Sequence, residues 1–223
     1  MSRATFIALA AGAAILVAAL LMYGGGPRAG TDGGAARPQV ALLTSLPLLF
    51  GEEFALGPPA NAAVERIGQA VELVPIAVAD RASLKGFSRL LMAHPRAQPA
   101  EVLVELDAWV RAGGHAVVLA DPALAWQSAR PPGDPLRPPP DFADTGLLAH
   151  WGLRLGIDEA GEGVLRAISR DCAVSDNGLV ARCRVGKGGA WILADADFLM
   201  GVGDNSARRL ALLMSQLAPG ESR

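Results

Sequence analysis

The sequence is poor in the residues that most often carry enzyme chemistry, with two cysteines and three histidines among 223 residues. It also lacks an excess of positive charge, since 22 acidic residues outnumber 20 Lys and Arg. No basic stripe is therefore available to neutralise nucleic-acid phosphates, and nucleic acid is not an expected partner. Aromatic residues make up 5% of the chain, while Ala, Leu, Val, Gly and Pro dominate, a bias typical of GC-rich bacterial genomes.

A long apolar run does occur, at the amino end. Residues 4–23 carry no charge, and a helix of this length spans about 30 Å, the thickness of the hydrocarbon core of a bilayer. A cleaved signal peptide has a shorter apolar run and a small-residue cleavage site, whereas this run ends in bulky residues from Leu20 to Tyr23. We therefore predict an uncleaved signal-anchor helix that binds the chain to the membrane. A cleaved signal and a buried soluble helix are the alternatives.

The charges beside this run bear on its orientation. Arg3 precedes it and Arg28 and Arg37 follow it, so the flanking charges are nearly balanced. A short amino-terminal tail with its charge close to the membrane usually stays inside, so we expect a single-pass protein of the bacterial inner membrane whose carboxyl-terminal domain is extracytoplasmic. The predicted organisation is a signal-anchor over 1–24, a flexible Gly-rich linker over 25–38, an α/β domain over 39–218 and a tail over 219–223.

The two cysteines flank a hairpin signal. Asn177-Gly178 favours a two-residue type I′ turn, because both central residues of that turn need positive φ. Counting outward from it places Cys172 opposite Cys183 as a hydrogen-bonded pair with Cα atoms about 5.5 Å apart, within the range of a disulfide. Such a bond would persist in an oxidising compartment, in agreement with export. The alternative is two unpaired apolar residues; a closed zinc site would need more ligands.

The remaining roughly 180 residues suffice for one domain, and in them apolar runs alternate with helical periodicity. Helices alternating with Val- and Leu-rich runs predict a mainly parallel sheet covered on both faces. Six prolines in residues 131–140 predict an exposed irregular loop. Strands are predicted at 40–45, 71–77, 87–93, 115–121, 153–157 (an edge strand) and 190–194, a disulfide hairpin at 164–185, and helices at 61–70, 99–111, 146–151 and 206–217.

Small polar and acidic residues follow several of the predicted strands. In open α/β sheets ligands bind outside the carboxyl ends of the strands, so carboxylates there can hold a divalent cation or a cationic group. The other interpretation, which we favour, is that these side chains fix turns and cap the last helix by accepting backbone N–H bonds. The ligand-binding candidates are Thr44, Ser45, Asp121, Asp195, Asp197, Asp204 and Asn205.

Two segments resemble a known family. Residues 106–122, LDAWVRAGGHAVVLADP, and 188–213, GGAWILADADFLMGVGDNSARRLALL, resemble the exported domain of gliding-motility-type ABC transporter auxiliary proteins. They also resemble uncharacterised membrane-anchored domains with a fold like that of class I glutamine amidotransferases. The resemblance implies a Rossmann- or flavodoxin-like α/β domain of a transport or envelope system, without established catalysis. The chain departs from the full auxiliaries by having one span and no room for their further spans.

The sequence contains no recognisable catalytic or nucleotide motif. Neither cysteine lies on a strand-to-helix elbow, and none of His94, His115 and His150 follows the expected His-x-Glu order. No phosphate loop or dinucleotide fingerprint is complete, so we expect no cofactor and no metal. The sequence predicts a non-catalytic binding or scaffold domain with an envelope protein partner, such as transporter subunits. The alternatives are a hydrolase or transferase that uses the aspartates as its acid-base set, and a purely structural tether.

Overall fold

The computed structural model describes residues 37–52 and 61–218 of the chain. The predicted membrane span at 4–23, almost all of the predicted linker and the tail at 219–223 lie outside the described residues. Within the described ranges, no helix has the length and apolar character needed to cross a bilayer.

The described residues form nine strands and four α-helices; three helices are interspersed with the first four strands, and five strands then precede the last helix. The strands are β1 (Gln39–Thr44), β2 (Glu72–Pro75), β3 (Arg89–Ala93), β4 (His115–Leu119), β5 (Leu153–Ile157), β6 (Gly163–Ala167), β7 (Cys172–Ser175), β8 (Val180–Val185) and β9 (Gly188–Leu193). The helices are α1 (Ala62–Gly68), α2 (Ala100–Arg111), α3 (Leu147–Trp151) and α4 (Ser206–Leu217). The predicted mixed α/β class is confirmed.

Seven strands form one sheet in the order β2-β1-β3-β4-β9-β8-β7. The first five in this order run parallel to one another, and β8 and β7 continue the sheet as an antiparallel hairpin. Because the carboxyl ends of parallel strands share one edge, the loops that follow β1, β3, β4 and β9 lie next to one another.

Each face of the sheet has its own core, since alternate residues of a strand point to opposite sides. Leu90 and Val118 belong to the first core, and their chain neighbours Leu91 and Leu119 belong to the second. Helices α2 and α3 cover the first face and helices α1 and α4 the second, which confirms the prediction of a sheet covered on both sides. Their buried contacts come from Val102, Leu106, Val110, Leu148 and Trp151 on the first face, and from Ala63, Val64, Ile67, Leu213 and Leu217 on the second.

The cysteines join the two strands of the hairpin. Cys172 and Cys183 are register partners, as the count outward from the turn predicts, and they form a disulfide with Cα atoms 4.1 Å apart. One pair further out, the backbone N–H of Arg184 donates to the carbonyl oxygen of Asp171 (2.8 Å). The cysteines are therefore a closely spaced non-hydrogen-bonded pair, and the expected hydrogen-bonded pair with a 5.5 Å spacing is wrong.

The turn explains this difference. Asn177 and Gly178 both have positive φ, at 55° and 94°, as predicted. However, the ladder ends at the pair Ser175 and Val180, and Asp176–Gly178 forms a short turn of 3-10 helix. The loop is longer than the two residues that the Asn-Gly signal predicts, and this shifts the alternation of hydrogen-bonded pairs by one position.

A second difference concerns the segment before the hairpin. The strand at Leu153–Ile157, expected at an edge of the main sheet, pairs instead with Gly163–Ala167 in a separate two-stranded antiparallel sheet. The disulfide hairpin accordingly begins at Cys172 and not near residue 164. The cause is local: Asp158 Oδ1 accepts the backbone N–H of Glu162 (2.9 Å) and closes a tight loop, a contact that strand periodicity does not encode.

The contact between α2 and the start of β9 depends on a glycine. A Cβ atom on Gly188 would collide with the backbone carbonyl oxygens of Val110 and Gly114. We expect Gly188→Ala to lower the free energy of unfolding by about 1–3 kcal/mol, because backbone atoms cannot move aside as a side chain can. Urea denaturation measures this change. Gly156→Ala is the matched control, since a Cβ there meets only the Val164 side chain at 3.9 Å, and an equal loss in both variants would contradict the prediction.

Candidate functional site

Three of the predicted aspartates converge at the carboxyl edge of the sheet. Asp121 follows β4, and Asp195 and Asp197 follow β9, the next strand in the sheet. One carboxylate oxygen of each lies within 4.8 Å of the other two, a spacing that could hold a metal ion. The side chains are nevertheless largely inaccessible, since Asp121 and Asp195 are 5% and 4% exposed.

The oxygens of Asp121 are bonded to the protein backbone. Its Oδ1 accepts the N–H of Ala123 and its Oδ2 accepts the N–H of Ala196, both at 2.9 Å. The first bond fixes the turn after β4, and the second joins that turn to the segment after β9. Asp195 makes a more local bond: its Oδ1 accepts the N–H of Asp197, two residues along the chain, at 2.8 Å.

The other oxygens are engaged as well. Asp195 Oδ2 accepts a bond from the guanidinium of Arg209, which projects from helix α4. Asp197 receives two bonds from the loop after β4: its Oδ2 accepts from Ala125 N (2.9 Å) and its Oδ1 from Trp126 N (2.7 Å). Each of the six oxygens of the three carboxylates therefore accepts a hydrogen bond from this chain. The sequence analysis allowed these carboxylates to hold a cationic group, and in the fold Arg209 of the same chain is such a group, bonded to Asp195.

Burial dominates the electrostatics of the cluster. The pKa of Asp195 is raised to about 6, mainly by burial and also by the neighbouring Asp121 and Asp197 carboxylates, while the Arg209 guanidinium acts in the opposite direction. Burial also raises the pKa of Asp197, against the lowering effect of the N–H groups of Ala125 and Trp126. The negative charge of the cluster is therefore costly, and the hydrogen bonds offset that cost in part.

This cost predicts a pH dependence of stability. The pKa of Asp195 in the folded protein lies above its usual value of 3.8, so the folded state holds more protons than the unfolded state between about pH 4 and pH 6. We expect the titration of Asp195 to lower the free energy of unfolding by about 1–3 kcal/mol as the pH rises through that window. Above pH 6 this residue causes no further loss. Urea denaturation at stepped pH should show a shallower decline for Asp195→Asn, with a residual slope from Asp197. Parallel curves for the two proteins would contradict this expectation.

Thr44, the last residue of β1, and Ser45, which follows it, have structural bonds. Thr44 Oγ1 donates to the carbonyl oxygen of Ala93 (2.7 Å), and Ser45 Oγ donates to that of His94 (2.5 Å). Their hydroxyl groups therefore tie the end of β1 to the end of β3.

His94 also lies at this edge, directly after β3. Its side chain is fully buried, its φ of 47° is unusual for a residue with a Cβ, and its Nε2 lies 2.9 Å from the carbonyl oxygen of Pro139 in the proline-rich loop. In the sequence, the one feature that pointed to a place at this edge is that His94 directly follows a predicted strand. The histidine anchors the loop at 131–140, which is irregular as predicted.

Asp204 and Asn205 do not join the carboxylate cluster, and their predicted capping role is wrong. Asn205 occupies the N-cap position of α4, but its side chain makes no capping bond, and Asp204 is exposed. The hydroxyl of Ser206 instead donates to the carbonyl oxygen of Gly203 (2.7 Å). Gly203, with a φ of 93°, lies just before the helix, and the N–H groups of the first turn receive no bond from the side chain of Asn205.

A cavity of about 640 Å³ opens beside the cluster, but the carboxylates do not line it. Its walls are mainly apolar and come from Leu48, Trp126, Phe198, Met200 and Leu210, among others. The loops that the aspartates hold together thus form an apolar depression at the carboxyl edge, with the carboxylates behind its surface.

Fold and site together define a mixed α/β domain whose sheet-end loops are joined by buried carboxylates. No family model matches the chain, and no curated protein matches its sequence. Similar solved structures include a cytoplasmic protein from Salmonella typhimurium LT2 (8% identity, 80% of this chain and 99% of that chain, TM-score 0.48). A ThuA-like protein from Bacteroides uniformis is similar over 89% of this chain and 97% of its own, with 10% identity and a TM-score of 0.46.

A third similar structure is the exo-beta-1,4-mannosidase Op5Man5 from Opitutaceae bacterium strain TAV5, with 12% identity and a TM-score of 0.43. The match covers 81% of this chain but 35% of the mannosidase, so the chain spans about a third of that enzyme's length. No function is transferred from neighbours this distant. None of the three structures described above is a gliding-motility-type auxiliary protein, and that resemblance stays a prediction from the sequence.

Proposed function

We propose that the chain is a membrane-anchored, non-catalytic binding or scaffold domain on the extracytoplasmic side of the bacterial inner membrane. The observation that carries the non-catalytic part is the bonding of the carboxylates: each oxygen of Asp121, Asp195 and Asp197 accepts a bond from the backbone or from Arg209. A general acid or base must reach the proton that it transfers, and buried side chains bonded in this way hold loops in place instead.

The disulfide between Cys172 and Cys183 supports the location. Disulfides persist in oxidising compartments such as the bacterial periplasm and are rare in the cytosol. Together with the uncharged run at residues 4–23, the bond favours a domain that is carried across the membrane and remains attached to it.

The strand order supports a finer proposal for the fold. The parallel strands β2-β1-β3-β4-β9 follow the flavodoxin-like order 2-1-3-4-5 when numbered along the parallel part of the sheet. We infer a Rossmann/flavodoxin-like domain preceded by one transmembrane helix. With the resemblance of residues 106–122 and 188–213 to transporter auxiliaries, the proposed partner is an envelope protein of an ABC-type transport system.

A hydrolase or transferase is the second candidate. The observation that favours it is the convergence of three carboxylates within 4.8 Å, together with a pKa of about 6 for Asp195, which suits acid-base catalysis near neutral pH. Against it stand the burial of these groups and their absence from the walls of the neighbouring cavity.

Two experiments test the proposal. Protease added to intact spheroplasts should cleave the chain beyond residue 38 while a cytoplasmic marker protein stays intact; protection of those residues until lysis would exclude the proposed topology. Calorimetric titration of the full-length protein with Ca²⁺ or Mg²⁺ should give no heat and no shift in melting temperature. Saturable binding that Asp197→Asn abolishes would favour the second candidate.

A further inference from the structure

A second cavity lies at the opposite, amino-terminal end of the parallel strands. This amino-end cavity has a volume of about 350 Å³ and opens between the sheet and the carboxyl end of α4. Its lining comes from β3, β4, β8, β9 and α4 and consists of Arg89, His115, Ala116, Val117, Arg182, Cys183, Gly189, Ala190, Trp191, Ser215, Gln216 and Ala218. None of these lining residues is acidic, whereas three of them are basic.

The sheet register places the basic residues around one space. Arg89 and His115 are direct partners on β3 and β4, and Arg182 is the partner of Trp191 on β8 and β9. All four lie on the face of the sheet that α4 covers, because the side chains alternate along each strand. Gly189, the partner of His115 on β9, contributes no side chain, and this leaves the floor of the cavity open.

The guanidinium groups of Arg89 and Arg182 have N–H donors that form no hydrogen bond with the described residues. Arg89 Nε donates to the carbonyl oxygen of Gln216 (3.2 Å), which holds this side chain at the cavity with its two terminal nitrogens unused by the described residues. Arg182 is exposed, and its side chain makes no hydrogen bond or ion pair within the described ranges. The positive charge at this site therefore lacks a partner among the described residues.

The indole of Trp191 adds an unusual feature. Trp191 is 4% exposed, and its Nε1–H is buried without a hydrogen-bond acceptor in the described part of the chain. A buried donor without an acceptor costs on the order of 1–3 kcal/mol, and the indole that bears it forms part of the cavity wall.

We propose that the amino-end cavity binds an oxyanion group, a phosphate or a carboxylate, of a small ligand. Arg182 and Arg89 supply the fork-shaped donors that match either group, and Trp191 forms part of the wall beside them. This site is independent of the proposed scaffold function and lies away from the carboxyl-edge cluster. Burial, and secondarily the charge of Arg89, lower the pKa of His115, so the two guanidinium groups carry the charge of the site near neutral pH.

The test follows the indole N–H signal of Trp191 in nitrogen-15 NMR spectra of the full-length protein in zwitterionic micelles, with Trp191→Phe to assign it. Sodium phosphate, disodium succinate and sodium chloride are titrated at matched ionic strength. We expect a saturable shift with phosphate or succinate and none with chloride, and the tighter of the two identifies phosphate or carboxylate as the ligand group.

Arg182→Ala should weaken the binding at least tenfold, and it should keep the melting temperature because the side chain is exposed. Arg184→Ala is the matched control, since Arg184 lies two residues away on the same strand, pairs with Asp171 (2.9 Å) and does not line the cavity. No saturable shift with either anion, the same shift with chloride, or equal binding by wild type and Arg182→Ala would each overturn the proposal.

Discussion

Asp197→Ala is expected to lower the free energy of unfolding by about 2–4 kcal/mol. Both carboxylate oxygens accept backbone N–H bonds, from Ala125 and from Trp126, and hydrogen bonds to a charged group are worth about 1.5–3 kcal/mol each. The raised pKa of Asp197 reflects a burial cost that the variant no longer bears, so the net loss is smaller than the sum of the two bonds. Urea denaturation at pH 7 measures the change.

The matched control for this variant is Asp204→Ala. Asp204 is exposed and lies outside the cluster, so its removal should change stability by less than about 0.5 kcal/mol. Should Asp197→Ala be no less stable than Asp204→Ala, the structural interpretation of the cluster would be wrong, and a ligand-binding or catalytic role for Asp197 would gain support.

Loss of the disulfide should have an effect of similar size. The bond joins residues 11 positions apart, and closing a loop of this length restricts the unfolded chain by about 3 kcal/mol in the chain-entropy treatment. We therefore expect Cys172→Ala combined with Cys183→Ala to lower the free energy of unfolding by about 3 kcal/mol. Because the two side chains are 8% and 4% exposed, alanine fits the site without introducing a polar group.

The reducing agent dithiothreitol provides the control for this prediction. It should destabilise the wild-type protein to about the level of the double variant and leave the double variant itself unchanged. Equal stability of the oxidised wild type and the double variant would mean that the bond contributes nothing to the fold.

At the carboxyl edge of this sheet the buried carboxylates bond to the protein itself. At such an edge polar loop residues usually converge on a ligand, but here they converge on one another and on Arg209. At the amino end, by contrast, the exposed Arg182 has no partner among the described residues and lines a cavity together with Trp191. The two ends of the sheet therefore have different roles: one consolidates the loops, and the other offers the proposed oxyanion site.

The local elements were largely predictable. The period of Val102, Leu106 and Val110 predicts α2, and all three side chains are buried. Runs of Val, Leu and Ala predict β1, β3, β4 and β9 with small errors at their ends, because propensity and burial act over neighbouring residues. The register of Cys172 and Cys183 also follows from counting along one hairpin.

Partners far apart along the chain were not predictable. Arg209 bonds Asp195 from the last helix, and Asp197 bonds Trp126 across 71 positions of sequence. No local sequence pattern predicts either bond, since each depends on how β4, β9 and α4 pack together. The strand at Leu153–Ile157 was also given the wrong sheet, but for a local reason, since the loop that Asp158 closes pairs it with Gly163–Ala167.

The sequence by itself determined the α/β class, the alternation of buried strands and helices, the cysteine register, and the position of Asp121, Asp195 and Asp197 at strand ends. These features depend on periodicity and turn chemistry within short segments. Only the tertiary structure decided what the aspartates do, because the acceptor capacity of a carboxylate is filled by whichever donors the packed loops bring to it. It also decided that Arg89, His115, Arg182 and Trp191 surround one cavity, since the sheet places β3 and β4 beside the β8–β9 hairpin, which lies much later in the chain.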